Sequence, residues 1–240
     1  MKVIALTQKG ISKQENEDCV VIGRNVVTGG TLFSEIDDGV LAVADGVGGN
    51  IAGAVASRFV ADRICHLKEV NENTLHRINN ELLELSSKQS EYKGMATTLA
   101  GVLLSNQKVI LFSIGNTRVY LLQSRKYLKQ LTIDDTTVNY LISTGQMTLE
   151  EAVDFDRKNE ITACFGGGQA GLFKITIENI DTISSPVIMT SDGIHDYLTV
   201  DKMEDIIQEF GLSEKTCEEM MASARNAGSN DDISILIGGI

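Results

Sequence analysis

Basic residues are scarce in this chain, proline occurs once and histidine three times, and no two of its four cysteines are close together. Each shortage closes off a class of function. With 21 lysines and arginines against 33 aspartates and glutamates, the formal charge is -12. No basic cluster offsets it, so a nucleic acid or an anionic membrane surface would repel the chain. No apolar run approaches the roughly 20 residues that span a bilayer, and the opening MKVIALTQKG has too short an apolar stretch for a secretory signal. A cytoplasmic protein is expected. Cys19, Cys65, Cys164 and Cys217 contain no Cys-x-x-Cys pair, which fits four reduced structural thiols better than a disulfide framework. Without a proline-rich or serine-rich linker, a low-complexity tract or a repeat, nothing divides residues 1–240, and one domain is expected.

What is present is an ordinary globular composition, 42% apolar and 22% charged over 240 residues, enough to bury a proper core. Short β-branched runs predict strands near 2–7, 19–27, 39–44, 97–104, 108–114, 117–123, 172–178, 186–190 and 233–238. Several are joined by tight turns, as at 105–107 and at Gly115 and Asn116, which indicates antiparallel pairing. Helical spacing appears at Val55, Phe59, Val60 and Ile64, at Leu75, Ile78, Leu82 and Leu85, at Val138, Leu141 and Ile142, and in DKMEDIIQEF. Thr148 to Glu151 has the capping-box spacing, and a last helix should stop by Gly228. Strand clusters interrupted by helix pairs predict antiparallel sheets with helices packed outside.

The chemistry concentrates at strand ends. VLAVADGVGGNIAG, residues 40–53, is an apolar strand that stops at Asp45 and continues in glycines. A phosphate cradle offers backbone N–H groups to an anion, and a carboxylate directly before the first glycine would repel that anion. The dinucleotide spacing also fails, since Gly46 and Gly48 are followed by Ile51 where the third glycine belongs. The same strand-acid-glycine order recurs at Asp192 and Gly193, while Glu17 with Asp18 and Asp231 with Asp232 stand just before strands. In an antiparallel sheet the end of one strand lies beside the start of its neighbour, so all four segments can converge on one edge. Two carboxylates about 4 Å apart repel by roughly 4 kcal/mol at an effective dielectric near 20, so such a cluster calls for cations. Oxygen ligands with no histidine or cysteine select Mg²⁺ or Mn²⁺ over zinc, and two ions are expected. The plainer reading is that Asp-Gly marks turns, as in IDDGV at Asp37 to Gly39; four acid-bearing strand ends together argue against it at the other sites.

These motifs, taken in order, resemble the metal-dependent serine/threonine phosphatases of the protein phosphatase 2C family, in its bacterial single-domain form. GISKQENED is similar to the family's opening motif, VADGVGGNIAGAVAS to its Asp-Gly loop, GMATTL and FSIGNTRVYLL to two central strands, TSDGIHD to its second aspartate motif and GSNDDIS to its last. The resemblance covers essentially the whole chain and implies an α+β fold, an αββα sandwich of two antiparallel sheets flanked by helices. It also implies two Mn²⁺ or Mg²⁺ ions, with Asp45 bridging them and the Gly46 carbonyl on one. Asp192 and Asp231 complete the first ion's shell, and Glu17 and Asp18 serve the second directly or through water. A water bridging the ions would then attack phosphoserine or phosphothreonine directly, in a phosphoprotein regulated by a cognate kinase, and the protein would act as a monomer.

Departures from the family pattern refine those expectations. Lys13 stands where an arginine commonly clamps the substrate phosphate; lysine keeps the charge but loses the bidentate fork. Asn116 replaces an acid linked to a third metal site, leaving Asp196 there with one carboxylate fewer. Asp232 stands where asparagine is usual, and Val47 where some relatives carry a histidine proposed as general acid. His195 reads as a packing or surface residue, and FDRKNEITACFGGG, 155–168, matches the flap region loosely. Lys13, Asn116 and that flap also motivate an alternative: a phosphatase-like regulatory module that binds phosphoprotein without turnover.

Overall fold

The computed structural model of the chain describes residues 1–47, 51–105, 108–157, 159–168, 170–180 and 185–239. Five strands come first, β1 (Lys2–Gln8), β2 (Asp18–Ile22), β3 (Asn25–Val27), β4 (Gly30–Glu35) and β5 (Gly39–Val47). Helices α1 (Ile51–Ile64) and α2 (Glu72–Lys88) follow, then β6 (Ala96–Thr97), β7 (Leu99–Ser105), β8 (Lys108–Ile114), β9 (Arg118–Gln123) and β10 (Tyr127–Gln130). Short helices α3 (Thr137–Ser143) and α4 (Leu149–Val153) lead to β11 (Phe165–Gly166), β12 (Thr176–Ile180) and β13 (Val187–Thr190). The last elements are α5 (Asp192–His195), α6 (Val200–Phe210), α7 (Glu214–Asn226) and β14 (Ile233–Gly238).

The strands form two sheets. One runs β10-β9-β13-β14-β1-β4, all antiparallel, so that β1 from the start of the chain is bonded to β14 from its end. The other runs β11-β6-β5-β7-β8-β12, with β2 on the free edge of β5 and β3 beside β2. Most inner strands are buried on both faces, and their side chains alternate between two different cores. Val3 and Ala5 of β1, Val20 and Ile22 of β2, Leu41 and Val43 of β5 and Val187 and Met189 of β13 fill the layer between the sheets. Their neighbours Ile4 and Leu6, with Ile233, Ile235 and Ile237 of β14, pack under α6 and α7. Val40, Ala42 and Ala44 pack under α1 and α2. The result is the αββα sandwich expected from the sequence.

Differences lie where packing is thin. The run expected as one strand over 19–27 breaks at Gly23, whose φ of 58° turns β2 into β3. The strand expected at 172–178 begins at Thr176, because a 3-10 turn occupies Ala170–Leu172. β4 and β10, at sheet edges and largely exposed, carry too little apolar pattern to be read from sequence. Asp37 and Asp38 do bend the chain, but between strands of different sheets rather than within a hairpin. The turn expected at 105–107 falls partly outside the described residues, as does Gly48. The capping box at α4 is present, with the Thr148 hydroxyl accepting from the Glu151 N–H and the Glu151 carboxylate accepting from the Thr148 N–H.

Leu82 of α2 is fully buried beneath that helix, whereas Leu149 is 70% exposed. Leu82→Ala should cost about 2–5 kcal/mol in urea denaturation, and Leu149→Ala less than about 0.5 kcal/mol.

Candidate metal centre

Side-chain alternation decides where the acids point. Asp45 continues the Leu41–Val43 face of β5 and Asp18 the Val20–Ile22 face of β2, so both extend the layer between the sheets. The two residues stand directly opposite each other in the β2–β5 ladder. From the other sheet, Asp192 opens α5 just after β13, and Asp231 and Asp232 lie just before β14. The ladder between these strands extends past its end, where Ser191 N–H donates to the Ser234 carbonyl at 3.1 Å and Ser234 N–H donates to the Ser191 hydroxyl at 2.9 Å. Four strand ends thus converge at one end of the inter-sheet layer.

The Asp-Gly pairs at these ends are close-approach sites rather than turns, since neither Gly46 nor Gly193 has a positive φ. A Cβ on Gly46 would lie 2.3 Å from the Gly53 carbonyl oxygen of α1, and one on Gly193 would lie 1.9 Å from the Asp232 carbonyl oxygen. Only glycine lets α1 and α5 press this tightly against the acid-bearing backbone. Asp45 is further held through its own carbonyl, which accepts from the Thr98 N–H at 2.8 Å and the Thr97 hydroxyl at 2.8 Å.

Burial and mutual repulsion set the electrostatics. Asp18 is 0% exposed, and burial followed by the charges of Asp232 and Asp192 pushes its pKa up to about 8. The hydroxyls of Ser191 and Ser234 lie close enough to offset this in part, although neither carboxylate oxygen attains a full hydrogen bond among the described residues. Asp45 is half-buried, yet so closely ringed that burial is still the first cause of its raised pKa, ahead of the charges of Asp192 and Asp18. Asp192 is raised by burial and by Asp231, against a 3.1 Å hydrogen bond that it accepts from the Asn116 amide. Glu17 Oε1 and both Asp18 oxygens are buried with no hydrogen-bond partner among the described residues. Orphaned anionic oxygens of this kind are costly unless a cation meets them. The chemistry of the donors therefore fits hard divalent ions, although among the described residues no three acidic, histidine or cysteine side chains already stand placed to share one ion.

Other expected residues are placed as follows. Lys13 reaches into the cluster, its Nζ 2.7 Å from Glu17 Oε2, 2.6 Å from Asp231 Oδ1 and 3.3 Å from Asp232 Oδ2. Asn116, in the turn after β8, pairs with Asp192, while Asp196 is exposed and accepts from the Asn159 amide at 2.6 Å. The two are held by different partners. His195 is buried, its Nδ1 sharing a hydrogen with the Thr190 hydroxyl at 2.8 Å, and burial lowers its pKa strongly. It is a packing residue.

Two contributors carried no assigned role in the sequence reading. Asp232, 2% exposed, accepts from the Gly10 N–H at 2.7 Å and the Glu17 N–H at 2.8 Å, and so closes the 10–17 loop at both ends. Its replacement of the usual asparagine was the one visible signal. Arg225 of α7 donates to the carbonyls of Ser229, Asp231 and Lys9, at 3.0, 2.7 and 3.1 Å, bracing the two acid loops. Nothing in its sequence context marks it.

The sequence pattern described as Protein phosphatase 2C matches residues 31–229 of this chain. A serine/threonine phosphatase, stp, of Listeria monocytogenes is 27% identical over 96% of this chain and 92% of its own length. Protein phosphatase PhpP of Streptococcus pneumoniae is 30% identical over 99% and 96%. The solved catalytic domain of the serine/threonine protein phosphatase PstP, in complex with two manganese ions, has a TM-score of 0.76 at 24% identity, covering 99% of this chain and 98% of that one.

The raised pKa of Asp18 gives a pH prediction for the protein kept free of divalent ions by chelator. The folded state holds a proton on Asp18 up to about pH 8, whereas the unfolded chain releases it near pH 4, so the folded state binds more protons between these values and stability falls as pH rises. Thermal melts in EDTA should show a lower Tm at pH 8 than at pH 5.5, and Asp18→Asn should raise the Tm at pH 8 and flatten the profile. A profile unchanged by Asp18→Asn would contradict the assignment.

Proposed function

The chain belongs to the protein phosphatase 2C family, and from that premise we propose that its own converging acids carry the family's reaction. It is a metal-dependent protein serine/threonine phosphatase, acting on phosphoproteins. The residues proposed to hold two Mn²⁺ or Mg²⁺ ions are Glu17, Asp18, Asp45, the Gly46 carbonyl, Asp192 and Asp231. The observation that carries this assignment is the convergence of those acids from both sheets with unpaired buried oxygens on Glu17 and Asp18. The two manganese ions in the PstP structure agree with it.

Held by these residues, divalent ions would supply Lewis acidity, which would lower the pKa of an attacking water toward neutrality and draw charge off the phosphoryl oxygens. The chain's part is to fix that chemistry in place. Asp45 and Asp192 face each other across the two sheets, and the close contacts at Gly46 and Gly193 hold their backbones rigid. In the overall step, a water oxygen forms a bond to phosphorus and gives up a proton, the phosphorus–oxygen bond to serine or threonine breaks, and the departing oxygen takes up a proton, so the two transfers balance. The products are inorganic phosphate and the free hydroxyl residue. No cysteine takes part: all four thiols are free and buried, and burial raises each of their pKa values. Lys13 is the cation proposed to meet the phosphate as a point charge. Asn116 in place of an acid, with Asp196 turned toward Asn159, supports two ions over three.

Residues 1–240 are proposed to act as one catalytic domain, because β1 and β14 share a sheet, and as a monomer opposing a serine/threonine kinase. The four reduced thiols support a cytoplasmic setting. No helix among the described residues is long and apolar enough to cross a membrane.

Hydrolysis of p-nitrophenyl phosphate and of a phosphothreonine peptide should require Mn²⁺ or Mg²⁺ and stop in EDTA. Asp192→Ala should lower kcat by at least about a hundredfold. Phosphopeptide binding without turnover, in the presence of bound metal, would instead establish the regulatory module.

A further inference from the structure

Lys13 and Asp232 are two positions at which the sequence departs from the family pattern it resembles, and they meet in the structure. We propose that Lys13 is an internal counter-cation of the acid cluster, anchored by Asp232, that competes with divalent ions for Glu17 and Asp231 and so sets how tightly the protein binds metal. This inference rests on the metal-centre reading above.

The geometry begins with Asp232. Its buried carboxylate accepts a backbone N–H with each oxygen, Gly10 on one and Glu17 on the other. An asparagine would present only one acceptor and would turn an NH₂ group toward the second N–H. Closing the 10–17 loop from both ends therefore favours the acid, and the acid adds one more buried negative charge to a cluster already crowded with them. A buried carboxylate of this kind needs an opposite charge within reach. Lys13, projecting from the middle of the same loop, brings one to 3.3 Å.

The same ammonium lies 2.7 Å from Glu17 Oε2 and 2.6 Å from Asp231 Oδ1. These are charge-assisted hydrogen bonds at their short limit; they engage one oxygen of each carboxylate and set a positive charge beside the other, Glu17 Oε1 among them. An arriving ion is repelled by that ammonium and meets carboxylates whose charge the ammonium already partly neutralises. A compact ammonium with three donors suits three carboxylates arranged around it, where the planar arginine fork would engage one or two in its own plane. Displacing Lys13 releases a cation beside the metal site, where it can meet the substrate phosphate. Metal loading and the phosphate contact are thereby linked through one side chain.

Titration calorimetry with Mn²⁺ on the full chain tests this directly. Removing the charge with Lys13→Met should tighten the weaker Mn²⁺ step by about tenfold, the equivalent of one charge-assisted hydrogen bond, while Lys13→Arg should leave it within about threefold of the parent. In EDTA the Tm of Lys13→Met should fall, because the acids lose their counter-charge, and the difference should vanish at saturating Mn²⁺. Lys13→Gln gives a second neutral variant should Lys13→Met not fold. Equal or weaker Mn²⁺ binding by the neutral variants would overturn the proposal and leave the metal centre standing. Failure of parent and variants alike to bind Mn²⁺ would instead remove the metal centre on which the proposal depends.

Discussion

Carboxylates arriving from two separate sheets repel one another, and the fold brings them together at one end of the layer between the sheets, with Glu17, Asp18 and Asp232 buried there. Asp18 and Asp45 continue the apolar faces of β2 and β5, so the alternation that fills the core with valine and leucine also drives these acids inward. Asp192, Asp231 and Asp232 arrive from the facing sheet through β13 and β14. Hydrophobic burial on both sides of each sheet provides the free energy that keeps the acids in place. Their repulsion calls for cations, and much of the neighbouring structure offsets it: the Asn116 amide, the serines of the β13–β14 ladder and the Lys13 ammonium.

Stability and function pull against each other here in a specific way. A proton on Asp18 and Lys13 held on its partners lessen the repulsion without metal, leaving buried oxygens of Glu17 and Asp18 unpartnered among the described residues, whereas a metal-dependent catalyst needs those oxygens free and charged. Close-packed glycines resolve part of the conflict. By letting α1 and α5 press against the strand ends, Gly46 and Gly193 fix the acids through backbone contacts that do not depend on protonation. The thiols lie apart from this conflict, because burial keeps them protonated and unreactive.

Much of this was legible in the sequence, and for identifiable reasons. The strand-acid-glycine repeat at Asp45 and Asp192 and the paired acids before β2 and β14 are local signals, and antiparallel pairing alone brings such ends together. Helices α2 and α6 declared themselves by spacing, because one face of each is buried and the other is wet. Edge strands β4 and β10 stayed hidden because exposed strands need no apolar alternation. The partners of Lys13 stayed hidden for another reason. A lysine at position 13 says nothing of a carboxylate at 232 until the sheet closes β14 against β1, and the same long-range closure conceals the grip of Arg225 on Lys9. Family resemblance supplied the roles of single acids; the departures at 13, 116 and 232 acquired meaning only from the contacts.

Anomalous diffraction at the manganese edge, from crystals grown with Mn²⁺, tests the central claim most directly. Two peaks within coordination distance of Asp45, flanked by Asp18 and Glu17 on one side and Asp192 and Asp231 on the other, are what the cluster predicts. An absence of peaks there at saturating Mn²⁺, with the five acids still converged, would show that protonation and Lys13 satisfy them and would contradict the account.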